Sequence, residues 1–309
     1  MRETLSCSNP SWHGAAMIDM TRNAGPTSHS FISQRLRLHY LDWGNPSAPP
    51  LLLLHGGRDH ARSWDWVARE LQDDWHIIVP DWRGHGDSAW SPDGDYNTHA
   101  YVYDLAQLIH QLKLAPATIV AHSMGGNIAL RYAGLYPELV KKLVAIEGLG
   151  PSPRMLAERG KTDHAARERQ WIDAKRAAAA RQPKRYAALE DAFARMHQEN
   201  AFLSEDQARH LTIHGVHRNE DGSYSWKFDN YLHLPWAHDT HPDQVAELWQ
   251  AITCDVLLMY GEKSWASNPS ADGRLAHFRG ARCLTFENAG HWLHHDQFSR
   301  FVTALHEFL

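Results

Sequence analysis

Leu51 to Leu54 are four consecutive leucines. A strand with no polar face has to be covered on both sides, which is the situation of a central strand in a parallel sheet. Val256 to Tyr260 is nearly as apolar, and further short runs recur at Leu36 to Leu41, His76 to Val79, Thr118 to Ala121, Leu143 to Ile146 and Cys283 to Phe286. Between them, Ser63 to Leu71, His99 to Leu112, Asn127 to Tyr136 and Gln244 to Ile252 carry helix-like spacing of apolar residues. Strands alternating with helices predict an α/β fold, a mostly parallel twisted sheet flanked by helices. The 309 residues, 43% hydrophobic and 22% charged, suffice for one large core or a core with an inserted subdomain.

The rhythm breaks from Pro151 to about Trp236, where no buried strand is evident and the chain becomes rich in Arg and Ala. Between Arg154 and Glu199 there are 11 Lys/Arg against 7 Asp/Glu, which we read as a solvated helix face rather than an anion site. Pro183 is expected to open a helix, and Ser204 with Gln207 matches a capping box before another. Met155, Trp171, Phe193, Met196, Phe202 and Trp236 need burial against something. A helical lid over the carboxyl edge of the sheet, where open α/β sheets bind ligands, would provide it. The expected division is a flexible tail over 1–27, a core formed by 28–150 with 237–309, and a helical cap over 151–236.

A net charge of −5 shows no basic excess, so neither nucleic acid nor an anionic membrane is the expected partner. A small molecule is. Cys7, Cys254 and Cys283 are widely separated and suggest neither a disulfide framework nor a thiolate metal site. The first thirty residues lack a signal-like apolar run, and no later stretch reaches membrane-spanning length, which leads us to expect a cytoplasmic protein. Met17 and Met20 are conceivable alternative starts. The 23 histidines and 13 tryptophans are expected to be mostly structural or solvated. His294-His295-Asp296 resembles a metal cluster, but helical ligand pairs favour i, i+3 or i+4 spacing, so no metal is assigned there.

The chemistry is concentrated in three separated motifs. Ala117 to Ala121 runs as a strand into Ala121-His122-Ser123-Met124-Gly125-Gly126, after which Ile128, Leu130, Tyr132, Ala133 and Leu135 read as a helix. Strand, sharp turn and helix around a serine with small neighbours is the context of a nucleophile elbow, although a helix-capping serine would match the short motif too. A serine hydroxyl needs a base to take its proton. Ala289-Gly290-His291-Trp292 follows the last expected strand and supplies His291 at the same sheet edge. His55-Gly56-Gly57 follows the four leucines, where backbone amides can converge on a developing oxyanion; Gly57 and Met124 are the assigned donors.

Taken together, His55-Gly56-Gly57, Asp81-Trp82-Arg83-Gly84-His85-Gly86-Asp87-Ser88, Ala121 to Gly126 and Gly290-His291 resemble the α/β-hydrolase superfamily in order and approximate spacing over nearly the whole chain. Position 121 is Ala where Gly is usual. The resemblance implies a helical cap inserted after the sixth strand, where 151–236 falls, and a structural role for Asp81 to Ser88. Many relatives carry the third triad residue as an Asp in a Gly-x-x-Asp context after the seventh strand, whereas this chain reads Gly261-Glu262-Lys263-Ser264. Certain haloalkane dehalogenases instead place a glutamate at the end of the preceding strand, where Leu143 to Ile146 leads into Glu147. A carboxylate is needed to orient the imidazole. Glu147 is the preferred acid, with Glu262, then Glu287 or Asp272, as alternatives.

Dehalogenase- and epoxide-hydrolase-like relatives use an aspartate nucleophile, so Ser123 points away from both. Serine, histidine, acid and two amides suit hydrolysis of a carboxylic ester of a small to medium substrate through an acyl-enzyme, with no cofactor. Lactone, amide or carbon-carbon hydrolysis and cofactor-free perhydrolysis use the same constellation, and a ligand receptor on a retained pocket is a further alternative. Oligomeric state is left open.

Overall fold

The computed structural model describes residues 25–179, 181–234 and 240–309. Most of the expected tail, with Cys7, Met17 and Met20, lies outside the described residues, as do Trp236 and the expected 236/237 boundary.

Ten strands occur in the described residues: β1 (Thr27–Ser33), β2 (Leu36–Asp42), β3 (Pro50–Leu54), β4 (His76–Pro80), β5 (Ala117–His122), β6 (Val140–Ile146), β7 (Val216–Arg218), β8 (Tyr224–Trp226), β9 (Asp255–Gly261) and β10 (Arg282–Phe286). Eight of them form one sheet in the order β1-β2-β4-β3-β5-β6-β9-β10. β1 and β2 pair antiparallel, as do β2 and β4, and from β4 to β10 every pairing is parallel.

Side-chain alternation explains the leucine run. Leu51 and Leu53 join Ile77, Val79, Val120, Val144 and Met259 on one face, against the helices Asp65–Leu71 and Phe298–Phe308. Leu52 and Leu54 join Ile78, Ile119, Ala121, Leu143 and Leu258 on the other, against the helices Thr98–Gln111, Met124–Leu135 and Pro242–Ala251. Both faces are covered by helices, so a polar residue on β3 would have no water to face.

β1 was not expected. Thr27, assigned to the tail, begins it. Only Phe31 and Ser33 of its seven residues are buried, so this edge strand lacks the apolar signature of the others. It is tied in through Ser33, whose hydroxyl donates to Asp104 at 2.5 Å; Asp104 also accepts from Arg83 Nε at 2.7 Å and Nη2 at 2.8 Å.

Between β6 and β9 the chain forms the helices Pro153–Gly160, His164–Ala179, Leu189–Glu199 and Glu205–Gly215, followed by the β7-β8 ribbon. The capping box is present: Ser204 Oγ accepts from the Gln207 amide at 3.2 Å and Gln207 returns a bond to the Ser204 amide at 2.9 Å. Pro183 starts no helix. It lies in an irregular stretch before the Leu189–Glu199 helix, where Tyr186 instead bridges to Tyr224 of β8. No helix among the described residues is long and apolar enough to cross a membrane.

Candidate active site

The parallel register sets the geometry. Leu54 pairs with Ala121, His122 with Ile146, and Ile146 with Met259, so the tips of β3, β5, β6 and β9 lie side by side. Each tip then releases one functional segment. Ser123 follows β5 at φ 50°, ψ −115°, a strained conformation for a residue with a side chain. Its amide donates to the Ile146 carbonyl at 2.7 Å, which pins the turn to the neighbouring strand. The turn is possible because Gly126 meets Gly148 backbone to backbone: a Cβ on Gly126 would lie 2.8 Å from the Gly148 Cα.

Ser123 does not cap its helix through its side chain. Its Oγ instead lies 2.9 Å from His291 Nε2. The other ring nitrogen, Nδ1, bonds Glu147 Oε2, so the imidazole is held as the tautomer with Nδ1 protonated and Nε2 free to accept. Glu147, one residue beyond β6 and itself at φ 50°, is 5% exposed. Its Oε1 accepts from the Gly261 amide at 2.8 Å and its Oε2 from the Ser264 hydroxyl at 2.6 Å. The carboxylate thus has three donors, and its charge is directed at one imidazole.

Two of the alternative acids are engaged elsewhere and the third is exposed. Glu262 is exposed and accepts from the Asn288 amide and from Lys263, Asp272 is bound by Arg274 and Ser267, and Glu287 is exposed. Ser264, the residue that departs from the usual acid, is a donor to Glu147. Sequence reasoning marked that position without finding its role. The loop carrying His291 approaches closely over Gly261, where a Cβ would come within 2.3 Å of the Gly290 carbonyl oxygen.

His122 was also missed. It is buried under His291 with ring centroids 4.8 Å apart, and its Nε2–H donates to the His291 carbonyl at 2.9 Å. Burial, then the neighbouring imidazole of His291, push its pKa well below the usual range, so it stays neutral. Trp265 covers the outer side of the His291 ring at 4.7 Å and is 71% exposed.

The expected oxyanion donors adjoin the serine. Met124 opens the helix, so its amide has no intrahelical acceptor. A Cβ built on Gly57 would sit 3.8 Å from the Met124 sulfur, and both residues line a cavity of about 920 Å³ with Ser123 and His291. The glycine loop is anchored from behind by His55. The Trp82 amide donates to its Nε2 at 3.1 Å and its Nδ1–H donates to the Gly56 carbonyl at 2.7 Å. Burial drives the His55 pKa down to about 3.

Asp81 to Ser88 builds this support. Asp81 accepts from the Ala61 amide at 2.7 Å, the Asp87 amide at 3.0 Å and His39 Nδ1 at 2.7 Å. Burial alone would raise its pKa, but these bonds and the nearby imidazoles hold it well below the usual carboxylate range. His294 and His295 pack with their rings 4.3 Å apart, His294 stacking on Trp64, while Asp296 turns to accept from the Gly290 amide at 2.7 Å. The three do not converge on a point. Two other sets do bring ligand-type atoms within 4.8 Å of one another, Asp65 with His210 and His214, and His39 with Asp81 and Asp87. In each the buried carboxylate is already committed, Asp65 to Arg62 at 2.6 Å and Asp81 as above.

Comparison with known proteins agrees with this architecture. A serine hydrolase-like protein of Danio rerio is 28% identical over 224 residues, 70% of this chain and 66% of that protein, so the chain spans just under two thirds of its length. An esterase of Mycobacterium tuberculosis is 28% identical over 280 residues, covering 83% of this chain and 81% of the esterase. Among solved structures, a thioesterase domain from the curacin biosynthetic pathway superposes with a TM-score of 0.78 at 21% identity, over 92% of this chain and 100% of that one. The family model for the alpha/beta hydrolase fold matches residues 49–298. With that match across most of its length and the sheet order described above, the chain belongs to the alpha/beta hydrolase fold family.

Proposed function

We propose that this protein is a serine hydrolase that cleaves carboxylic esters of small to medium molecules through an acyl-enzyme. The observation carrying this reading is the unbroken hydrogen-bonded chain from Ser123 Oγ through His291 to Glu147, opening on a cavity of about 920 Å³. The 28% identical esterase relative supports the ester as the bond cleaved. Strain at Ser123, which a merely structural serine has no need to bear, also favours a reacting hydroxyl.

In this mechanism His291 Nε2 takes the Ser123 proton as Oγ attacks the ester carbonyl. Glu147 stabilises the imidazolium, and the amides of Gly57 and Met124 receive the oxyanion. Collapse breaks the bond to the alcohol, which leaves with the proton from Nε2. Water, deprotonated by the same nitrogen, then attacks the acyl-enzyme, and release of the acid restores Ser123. No step calls for a cofactor.

The segment after β6 acts as the cap in this reading, since Met196, Phe202, Leu203, Trp226 and Phe228 from it line the cavity. The test is turnover of 4-nitrophenyl butyrate together with labelling by a fluorophosphonate. The wild-type protein should hydrolyse the ester and carry the label on Ser123, and Ser123→Ala should lose both with an unchanged circular dichroism spectrum. Persistent turnover in that variant would overturn the nucleophile, and no turnover of any ester by the wild type would overturn the reading.

A further inference from the structure

The chain as a whole is acidic, with a net charge of −5, yet the cavity beside Ser123 is lined by Arg58, Lys184, Arg195 and Lys263 against only Glu199 and Asp296. These cations differ in how far they are neutralised. Arg195 pairs with Glu199 one helical turn away, and Lys263 has Glu262 at 3.3 Å with both side chains about half exposed. Lys184 lies over the Tyr186 ring at 4.8 Å and has no carboxylate partner among the described residues. Arg58 makes no hydrogen bond or ion pair with any described residue, although it stands immediately after Gly57.

The backbone at Arg58 is also costly. It has φ 62°, a conformation that disfavours a side-chain-bearing residue by about 1–2 kcal/mol, and glycine would occupy it without that penalty. A non-glycine residue held in this way next to a reaction centre points to a use for its side chain. Neither acid pairs with Arg58 or Lys184: Glu199 is taken by Arg195, and Asp296 accepts from the Gly290 amide at 2.7 Å. Two of the cations, Lys184 and Arg195, come from the basic 154–199 stretch, so part of the charge that reads as solvated in the sequence faces the cavity instead.

We propose that this cavity binds substrates carrying a carboxylate apart from the scissile ester, with Arg58 and Lys184 as its main counter-charges. The guanidinium of Arg58 offers a planar pair of donors suited to a carboxylate, while Lys184 contributes a point charge from the inserted segment. The aromatic walls formed by Phe202, Trp226 and Trp292 accept the apolar remainder of the molecule. This rests on the serine-hydrolase reading, and its test separates the two.

Four esters would be compared at low ionic strength. 4-Nitrophenyl hexanoate and the 4-nitrophenyl monoester of adipic acid differ by a carboxylate on the acyl side. Phenyl butyrate and 3-carboxyphenyl butyrate differ by one on the alcohol side. After subtraction of the uncatalysed rate, kcat/KM should favour the anionic member of at least one pair by about tenfold, mainly through KM, and 0.5 M NaCl should erode that preference. Arg58→Gln and Lys184→Gln should each reduce the anionic-to-neutral ratio, Arg58→Gln by about tenfold, while Arg58→Lys should retain part of it. Cleavage of the neutral esters with no anionic preference would overturn the proposal and leave the hydrolase reading standing. A preference indifferent to salt and to both substitutions would overturn the assignment to these residues. Absence of turnover on all four esters would overturn both readings.

Discussion

Glu147→Gln isolates the electrostatic part of the site. In the wild type the carboxylate takes three donors, the Gly261 amide at 2.8 Å, the Ser264 hydroxyl at 2.6 Å and His291 Nδ1. A glutamine has one acceptor oxygen and presents two N–H donors where the second oxygen was, so at least one of these partners meets a donor or the imidazole turns over. In the proposed mechanism the charge that stabilises the imidazolium is lost as well. Loss of the acid's charge in a triad lowers kcat by about 10⁴-fold, equivalent to about 5 kcal/mol of barrier at 1.36 kcal/mol per tenfold. The expectation for Glu147→Gln is therefore a fall of about 10³- to 10⁴-fold in kcat on 4-nitrophenyl butyrate.

The position of Ser264 allows a sharper version. Its hydroxyl touches the same carboxylate oxygen that accepts the hydrogen bond from His291 Nδ1. An aspartate there reaches farther from the backbone than serine does, into the space that Glu147 would vacate. Glu147→Gly, which suits the positive φ at this position, should be about as damaging as the glutamine variant. Adding Ser264→Asp should restore at least about a hundredfold of the loss, or about 3 kcal/mol. The assay is steady-state kcat with a pH profile, alongside a melting curve for each variant. Glu147→Gln retaining more than a tenth of wild-type kcat would refute Glu147 as the acid. A double variant no better than Glu147→Gly would refute the interchangeability of the two positions.

Two further outcomes follow from buried groups away from the reacting atoms. Burial and neighbouring imidazoles depress His55 to about 3, His85 to about 4 and His295 to about 3, and His122 and His294 well below the usual range. Between pH 6 and 4 these five take up protons on unfolding, whereas Asp59 and Asp296, both raised to about 6 by burial, release theirs. With His214, which burial depresses to about 4, the unfolded chain then holds up to about four more protons from these groups, so stability falls as pH falls through this window by up to about 5 kcal/mol per unit; urea unfolding at pH 6, 5 and 4 checks it, and equal midpoints would contradict it. Arg83→Met leaves Asp104 buried without its cation and should cost about 3–5 kcal/mol in urea unfolding, most of it recovered in Arg83→Met with Asp104→Leu; a loss under about 1 kcal/mol would contradict the weight given to this pair.

What the sequence disclosed follows from how tightly each residue is tied to a strand. The apolar runs were readable because burial on both faces leaves no polar alternation, and Ser123 and Glu147 directly follow strands whose pairing fixes their place. β1 escaped because only one of its faces is buried, and the β7-β8 ribbon because strands of three residues carry no period. Pro183 misled because a proline suited to a first helical turn is equally suited to an irregular stretch. Ser264 and Arg58 depend on the paths of loops, which no periodicity records.

The acid illustrates where sequence and fold divide the work. Ile146 and Met259 are register partners, so residues just beyond β6 and β9 emerge side by side, within reach of one histidine. A carboxylate from either tip can therefore meet the same Nδ1, and the fold alone does not choose between them. Chemistry does, because a serine at 264 has no carboxylate to offer the imidazole while Glu147 has. With the carboxylate at the end of β6, the β9 loop supplies donors to it, the Gly261 amide and the Ser264 hydroxyl, which fix its orientation toward His291. The departure at 264 is thus half of a coupled arrangement, and substituting either position alone disturbs both.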